Sequence, residues 1–322
     1  MSNRIGRGAK RASRPPVRAK SSDFKASRAI CRRTDIFVPP PNDDAEHPYD
    51  IAYASGRHEG AIALSLQNAA LTSHALALLI VLCDLYLRRQ YRIIMTEQTG
   101  MRRRAITTTP KQLVEAVYGR GADGKKRYQL LGLERGADGG ALNALAGALI
   151  KRDSSWMDSA GKTRRVLEAF HLIEGYRYHR VGKKEYLQVF LSDELQQELK
   201  ALDETSTWTL VPGEVLRGVG PKKQQALRVA IHILSHAPIP SRAEVGMRRE
   251  IGATALVGVI RPDVNRDPER YPGRYRTLLR GIVEAIDSAD RSHRWQLMDA
   301  STDPLGKVVC LESERKHGNM SG

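Results

Sequence analysis

Cysteine is almost absent from this chain of 322 residues: Cys31, Cys83 and Cys310 are the only three, and they stand far apart. No CxxC or Cys/His spacing is present, which argues against a structural zinc site or a disulfide framework and fits a reducing cytoplasm. Aromatic residues make up only 6% of the sequence, too few for a pocket built on stacked rings. No apolar run approaches membrane length; the longest, Ala75 to Cys83, is less than half a span. The N-terminus is basic but no apolar signal core follows it, so no secretion signal is expected. Negative charge is also in short supply. Lys and Arg total 52 against 36 Asp and Glu, a formal net charge of +16. Such an excess attracts polyanions by counterion release, and nucleic acid is the leading partner class.

What is present is a core of ordinary size, with 41% hydrophobic residues. Residues 1–45 are rich in Arg, Lys, Ser and Pro, end on Pro39 to Pro41, and lack apolar periodicity. They are expected to be a disordered basic arm. The pattern beyond it predicts two domains, 46–205 and 206–315, and a flexible tail at 316–322.

In the first domain the segment Ser73 to Leu87 is apolar nearly all round, as a central core helix is. A short strand Arg92–Met95 follows, then the cluster Arg102–Arg104. Thr109-Pro110 is a helix-start signature before Lys111–Tyr118, and Gly119 ends that helix. Gly121 to Arg127 reads as a basic loop, and Gly140–Arg152 as a helix. The period then changes from 3.6 to 2 over Arg165–Tyr178 and Glu185–Leu191, joined by a turn at His179–Lys184. Ser192 caps a helix Asp193–Lys200. The second domain repeats the plan: helices over Lys222–His236, Arg242–Ile251 and Gly273–Ala289, then strands Arg294–Met298 and Lys307–Leu311 around a turn Asp303–Gly306. The fold class expected is α+β, mainly α with small β-hairpins: tandem winged-helix domains behind a disordered arm.

The winged-helix reading selects the DNA-binding candidates. The helix before the wing enters the major groove. In the first domain that helix carries Asn143, whose amide can read adenine in two-pronged fashion. Lys151, Arg152, Arg164 and Arg165 follow it, Lys125 to Arg127 precede it, and Lys183 and Lys184 sit on the wing tip. In the second domain Arg276 and Arg280, four residues apart, share a helix face with Arg274 near by. Arg266 and Arg270 lie upstream, and Arg242, Arg248 and Arg249 are placed to touch the backbone. Each of these has a plainer reading as a solvated charge, and the arginine stripe one as a partner of Glu284 and Asp287.

Gly218-Val219-Gly220-Pro221-Lys222-Lys223 is similar to a helix-hairpin-helix turn but lacks a clear preceding helix. It is not a Walker A motif. The histidines are scattered, His293-Arg294-Trp295 is followed by no tyrosine, and no clustered carboxylates suit two metals. No catalytic centre, metal or cofactor is therefore expected.

Four stretches together resemble the first winged helix of plasmid replication initiator (Rep) proteins: Leu131-Gly132-Leu133, Ala141 to Lys151, Phe170 to Tyr176, and Val189 to Leu195. The last contains F-L-S-D-E-L where the family has an aromatic-ended wing strand running into a helix. The second domain looks like the family's second winged helix. The resemblance implies binding to double-stranded DNA at origin repeats, recruitment of host helicase and polymerase, and a homodimer formed through the first domain. A tandem winged-helix transcriptional regulator is the alternative, and a DNA-processing enzyme a more distant one.

Overall fold

The computed structural model describes residues 23–32, 34–37, 49–55, 58–66, 71–95, 102–133, 139–157, 162–205, 208–219, 223–236, 239, 248–260 and 272–312. Over 49–55, 58–66, 151–157 and 164–168, and at 29, 35 and 258, only the backbone is described.

Order starts inside the segment expected to be a disordered arm. Asp23–Ala26 is a strand (β1), Arg28–Arg32 a short helix (α1), and Thr34–Phe37 a turn of 3-10 helix. Phe24, Ala26, Ile30, Cys31, Ile36 and Phe37 are buried. Phe24 and Ala26 alternate as a strand does, but over four residues only, and Ile30, Cys31, Ile36 and Phe37 follow no single period, so the sequence hid them. They fill the groove between the two halves of the molecule instead of forming an amphipathic face.

Two strands, β2 (Tyr49–Ser55) and β3 (His58–Leu66), precede α2 (Ser73–Leu87). The all-round apolar pattern of α2 is explained by burial on every side, with Leu76, Leu78, Leu79, Ile80 and Leu82 fully enclosed. Truncating any one of these leucines to Ala would cost about 2–5 kcal/mol. Asp84 is the polar exception. It receives Lys25 N at 3.0 Å and pairs with Arg88 at 2.8 Å, and Arg88 Nη2 donates to Asp23 O, so β1 is fastened to α2.

Strands β4 (Tyr91–Met95) and β5 (Arg102–Thr108) lead to α3 (Pro110–Tyr118). Its start is as expected: Thr109 and Gln112 form a reciprocal capping box, with Pro110 in the first turn. Gly121 to Arg127 is not all loop, because Asp123 caps a helix α4 (Gly124–Leu131) by accepting Lys126 N at 2.8 Å. The helix expected over 140–152 is cut short. α5 (Ala141–Gly147) ends at a glycine, and the chain continues as β6 (Ala148–Met157), β7 (Thr163–His171), β8 (Ile173–Val181) and β9 (Lys184–Leu191). α6 (Asp193–Thr205) follows, starting where Ser192 Oγ accepts Leu195 N.

Next come β10 (Thr209–Pro212), a π-helical turn Val215–Val219, α7 (Gln224–Leu234), β11 (Arg248–Gly252), α8 (Ala253–Ile260), α9 (Pro272–Ala289), β12 (His293–Ala300) and β13 (Asp303–Glu312). Residues 248–251, expected to end a helix, are a strand. The expected turn at 303–306 moves to Ser301-Thr302, and the ladder runs through Asp303.

All strand pairings are antiparallel, in sheets ordered β1-β10, β4-β5-β9-β8, β2-β3-β6-β7 and β11-β13-β12. The architecture is mixed helix and sheet, α+β, with more sheet than small hairpins. The two halves share one plan: helix, strand, helices, then a hairpin whose last strand inserts between its partner and the first strand. This is α2, β5, α3 to α5, β8, β9 in one half and α7, β11, α8, α9, β12, β13 in the other.

Arg228 of α7, 2% exposed, joins the halves. Its guanidinium donates to Val259 O (3.1 Å) and Ile260 O (3.0 Å) at the end of α8, to Phe37 O, and to Ser73 Oγ at the start of α2. No described helix is long and apolar enough to cross a membrane.

Candidate nucleic-acid interface

The first half presents its basic groups on the β8–β9 hairpin. Gly182 takes a left-handed φ of 61° at the turn, which a side chain would resist. Arg180, Lys183 and Lys184 are exposed around it. The hairpin is held from below by one carboxylate. Glu185 accepts Arg127 Nη2 from α4 at 2.6 Å and Tyr178 OH at 2.7 Å. The hydrogen bond from Arg127, then that from Tyr178, keeps the Glu185 carboxyl below its ordinary pKa. Arg127 is thus a brace, while Lys125 remains exposed on α4 with Tyr128.

Asn143 does not present itself for base reading. Its amide nitrogen donates to Gly139 O (3.0 Å) and Gly132 O (3.3 Å), and its carbonyl accepts Tyr176 OH at 2.5 Å. Gly132 and Gly140, both at positive φ, approach so closely that a Cβ on either would strike the other's backbone or its neighbour's. Asn143 closes this junction between α4, α5 and β8. A two-pronged contact with adenine would require breaking it.

Lys151 and Arg152 lie on β6, opposite Ala169 and Glu168, and Arg164 and Arg165 on β7, opposite Trp156 and Ser155. They belong to the β2-β3-β6-β7 sheet, not to the end of a helix. The structure therefore separates them from Lys183 and Lys184, which lie on another sheet.

In the second half α9 buries Tyr275, Leu279, Ile282, Val283 and Ile286, close to the expected stripe; Leu278 is half-buried. The opposite face shows Arg274, Thr277, Arg280 and Gly281 to solvent in its first turns, and Glu284 and Ser288 farther on. Arg276 is not part of that face: it pairs with Asp299 of β12. The expected Arg276–Arg280 pair is therefore split, and the exposed arginines are Arg274 and Arg280. Arg248 and Arg249 are on β11 and are engaged internally. Arg248 pairs with Glu250 at 2.7 Å, and Arg249 with Glu312 at 3.7 Å and His236 O at 3.2 Å. Arg242, Arg266 and Arg270 lie outside the described residues.

The corner after α9 is fixed by Asp290, which is buried. It accepts Ser292 N, His293 N, His293 Nδ1 at 2.9 Å and Trp295 Nε1 at 2.8 Å. Burial would raise its carboxyl, but the bonds from His293, Trp295 and Ser292 together hold it below its ordinary value. Asp287 accepts Trp295 N at 2.7 Å. Asp303, at the hairpin's far end, caps α8 by accepting Thr254 N (3.0 Å) and Thr254 Oγ1 (2.7 Å). Sequence reasoning missed Asp303 because its partner Thr254 lies 49 residues away, and passed over Asp290 although its bonds to Ser292 N and His293 N are those of a local Asx turn. The three cysteines are buried free thiols, and burial pushes Cys31 and Cys310 up to about 12.

No protein-family model matches this chain, and no curated protein matches it. Solved structures do. The chain is similar to a crystal structure of domains 2 and 3 of RctB as a selenomethionine derivative, with a TM-score of 0.53 and 9% identity, covering 89% of this chain and 98% of that one. A second crystal structure of RctB domains 2-3 aligns with a TM-score of 0.52 and 9% identity, over 88% and 96%. At such identity the likeness is one of fold, and it extends over both halves of the chain.

Proposed function

We propose that this protein is a replication initiator of the plasmid Rep type, with two winged-helix units that bind repeated sites in origin DNA. The observation that carries the reading is the repeated plan: helix, strand, helices and hairpin, with the first strand paired to the last in each half. In a winged helix this order places the helix before the hairpin against the major groove and the hairpin against the backbone. The likeness to RctB supports the reading, since RctB is a replication initiator. The charge of +16 supplies the attraction to phosphate.

In this reading the N-terminal half of α9 reads base edges through Arg274 and Arg280, and Lys183 and Lys184 contact phosphates. The protein carries out no reaction and needs no metal or cofactor. It acts in the cytoplasm, recruits host helicase and polymerase, and forms a homodimer through its first unit.

The test is binding to duplex DNA taken from beside the gene, where the reading expects direct repeats, compared with a scrambled duplex, at several salt concentrations. Tighter binding to the repeats and a steep fall with salt are expected. A plasmid carrying those repeats should replicate only when the protein is supplied. Repeat binding without replication would make the protein a transcriptional regulator. Equal affinity for both duplexes would overturn sequence-specific binding.

A further inference from the structure

The β4-β5-β9-β8 sheet is covered by helices on one face: Tyr176 reaches Asn143 of α5, Tyr178 meets the Glu185–Arg127 pair of α4, and Arg104 donates to Tyr86 of α2. The residues that alternate with these point to the other face. Register pairs His179 with Tyr186, Arg177 with Gln188, and Ile94 with Arg103 on that side. Its centre is Phe190, whose ring lies beneath two guanidinium groups, Arg103 at 5.6 Å and Arg177 at 5.7 Å from the centroid. Arg177, His179 and Tyr186 are exposed, and Arg92, paired in register with Ala105, adds a third arginine to the row. Glu174 pairs with Arg103 at the edge of this row.

We propose that this open sheet face binds a single nucleic-acid strand. An antiparallel sheet that offers cationic groups for the backbone and exposed rings for bases is the chemistry by which single strands are held without strict sequence preference. Arginines poised over an aromatic ring keep their planes ordered and present a flat cationic surface on which a base can stack. The charge argues against a second copy of this chain on the same face: a two-fold contact would set arginine against arginine. Duplex DNA fits poorly, because its bases are stacked inward and a flat sheet offers no element to enter a groove. The surface is separate from α9. The proposal shares with the previous reading only the class of partner.

The experiment is fluorescence anisotropy on the full chain with labelled oligo(dT) and oligo(U) of about 15 nucleotides, beside the repeat duplex. Arg177→Ala and Tyr186→Ala alter exposed side chains, and Lys200→Ala on α6 serves as the control for simple loss of charge. Either oligonucleotide should bind the natural chain. Arg177→Ala and Tyr186→Ala should each weaken that binding about tenfold, with Lys200→Ala and duplex affinity nearly unchanged; the stronger of the two oligonucleotides identifies the strand. Absence of single-strand binding by the natural chain overturns the proposal, as does an equal loss on duplex and single strand. A shift in sedimentation with unchanged oligonucleotide affinity would make the face a contact between copies and overturns it too. Failure of duplex binding alone leaves this result intact and counts against the origin-binding reading instead.

Discussion

The two halves of the molecule share a three-strand order, β5-β9-β8 in one and β11-β13-β12 in the other, and place their charge differently. In the first, the hairpin tip is basic: Arg180, Lys183 and Lys184 surround Gly182, while the helix before the strands, α5, is short and mostly buried. In the second, the long helix α9 carries exposed Arg274 and Arg280, and its hairpin is acidic, with Asp299 and Asp303 turned to internal partners. In the proposed reading, the first unit would hold phosphates and the second would read bases. Between them lie the N-terminal residues 23–32 and 34–37, and Arg228 reaches both sides of that joint.

The largest effect should come from breaking the joint. Arg228→Met leaves carbonyls of Phe37, Val259 and Ile260 without their donor, and should destabilise the chain by about 3–4 kcal/mol, read as a lower thermal midpoint. If the midpoint is unchanged, the halves are not coupled through this side chain.

Asp290→Asn separates the units by pH. The folded carboxyl lies below its unfolded value, so its stabilisation is present above about pH 4 and is lost as pH falls through the folded value. Asn should cost about 2 kcal/mol at neutral pH and flatten the acid limb of the stability curve. Calorimetry from neutral pH down to acid checks both; an unaltered acid limb would place the sensitivity elsewhere, with Glu185 of the first unit the next to test.

The sharpest comparison is between Arg280→Ala and Lys184→Ala. The arginine should cost about 1–3 kcal/mol on repeat DNA and less on random duplex. The lysine should weaken both alike, because phosphate contacts carry no sequence information. Equal losses for the arginine would move base reading out of α9.

The smallest effect concerns Asn143. Tyr176→Phe removes one bond to its side chain and should destabilise by about 1 kcal/mol without altering base preference. A change of preference at an adenine would restore Asn143 as a reading residue.

Much of the first half was legible. The Thr109-Pro110 start, the buried length of α2, the hairpin at 179–184 and the Ser192 helix all rest on local signals, and these held. The helix at 140–152 failed because the apolar residues from Leu142 to Ile150 satisfy a helical stripe and a strand alike. Only pairing of β6 with β3 and β7 distinguishes them. On α9 the apolar stripe predicted the buried face, but not which arginine would meet Asp299.

By itself the sequence determined the charge, the helices with local caps and the alternation of the hairpins, since these depend on composition and neighbours a few residues apart. Tertiary structure decided the rest. It ordered residues 23–32 and 34–37, turned Asn143 inward, split Arg276 from Arg280, and gathered Arg103 and Arg177 over Phe190. Each of these outcomes depends on a partner distant in sequence, and a hydrogen bond or ion pair formed across such a distance leaves no periodic trace.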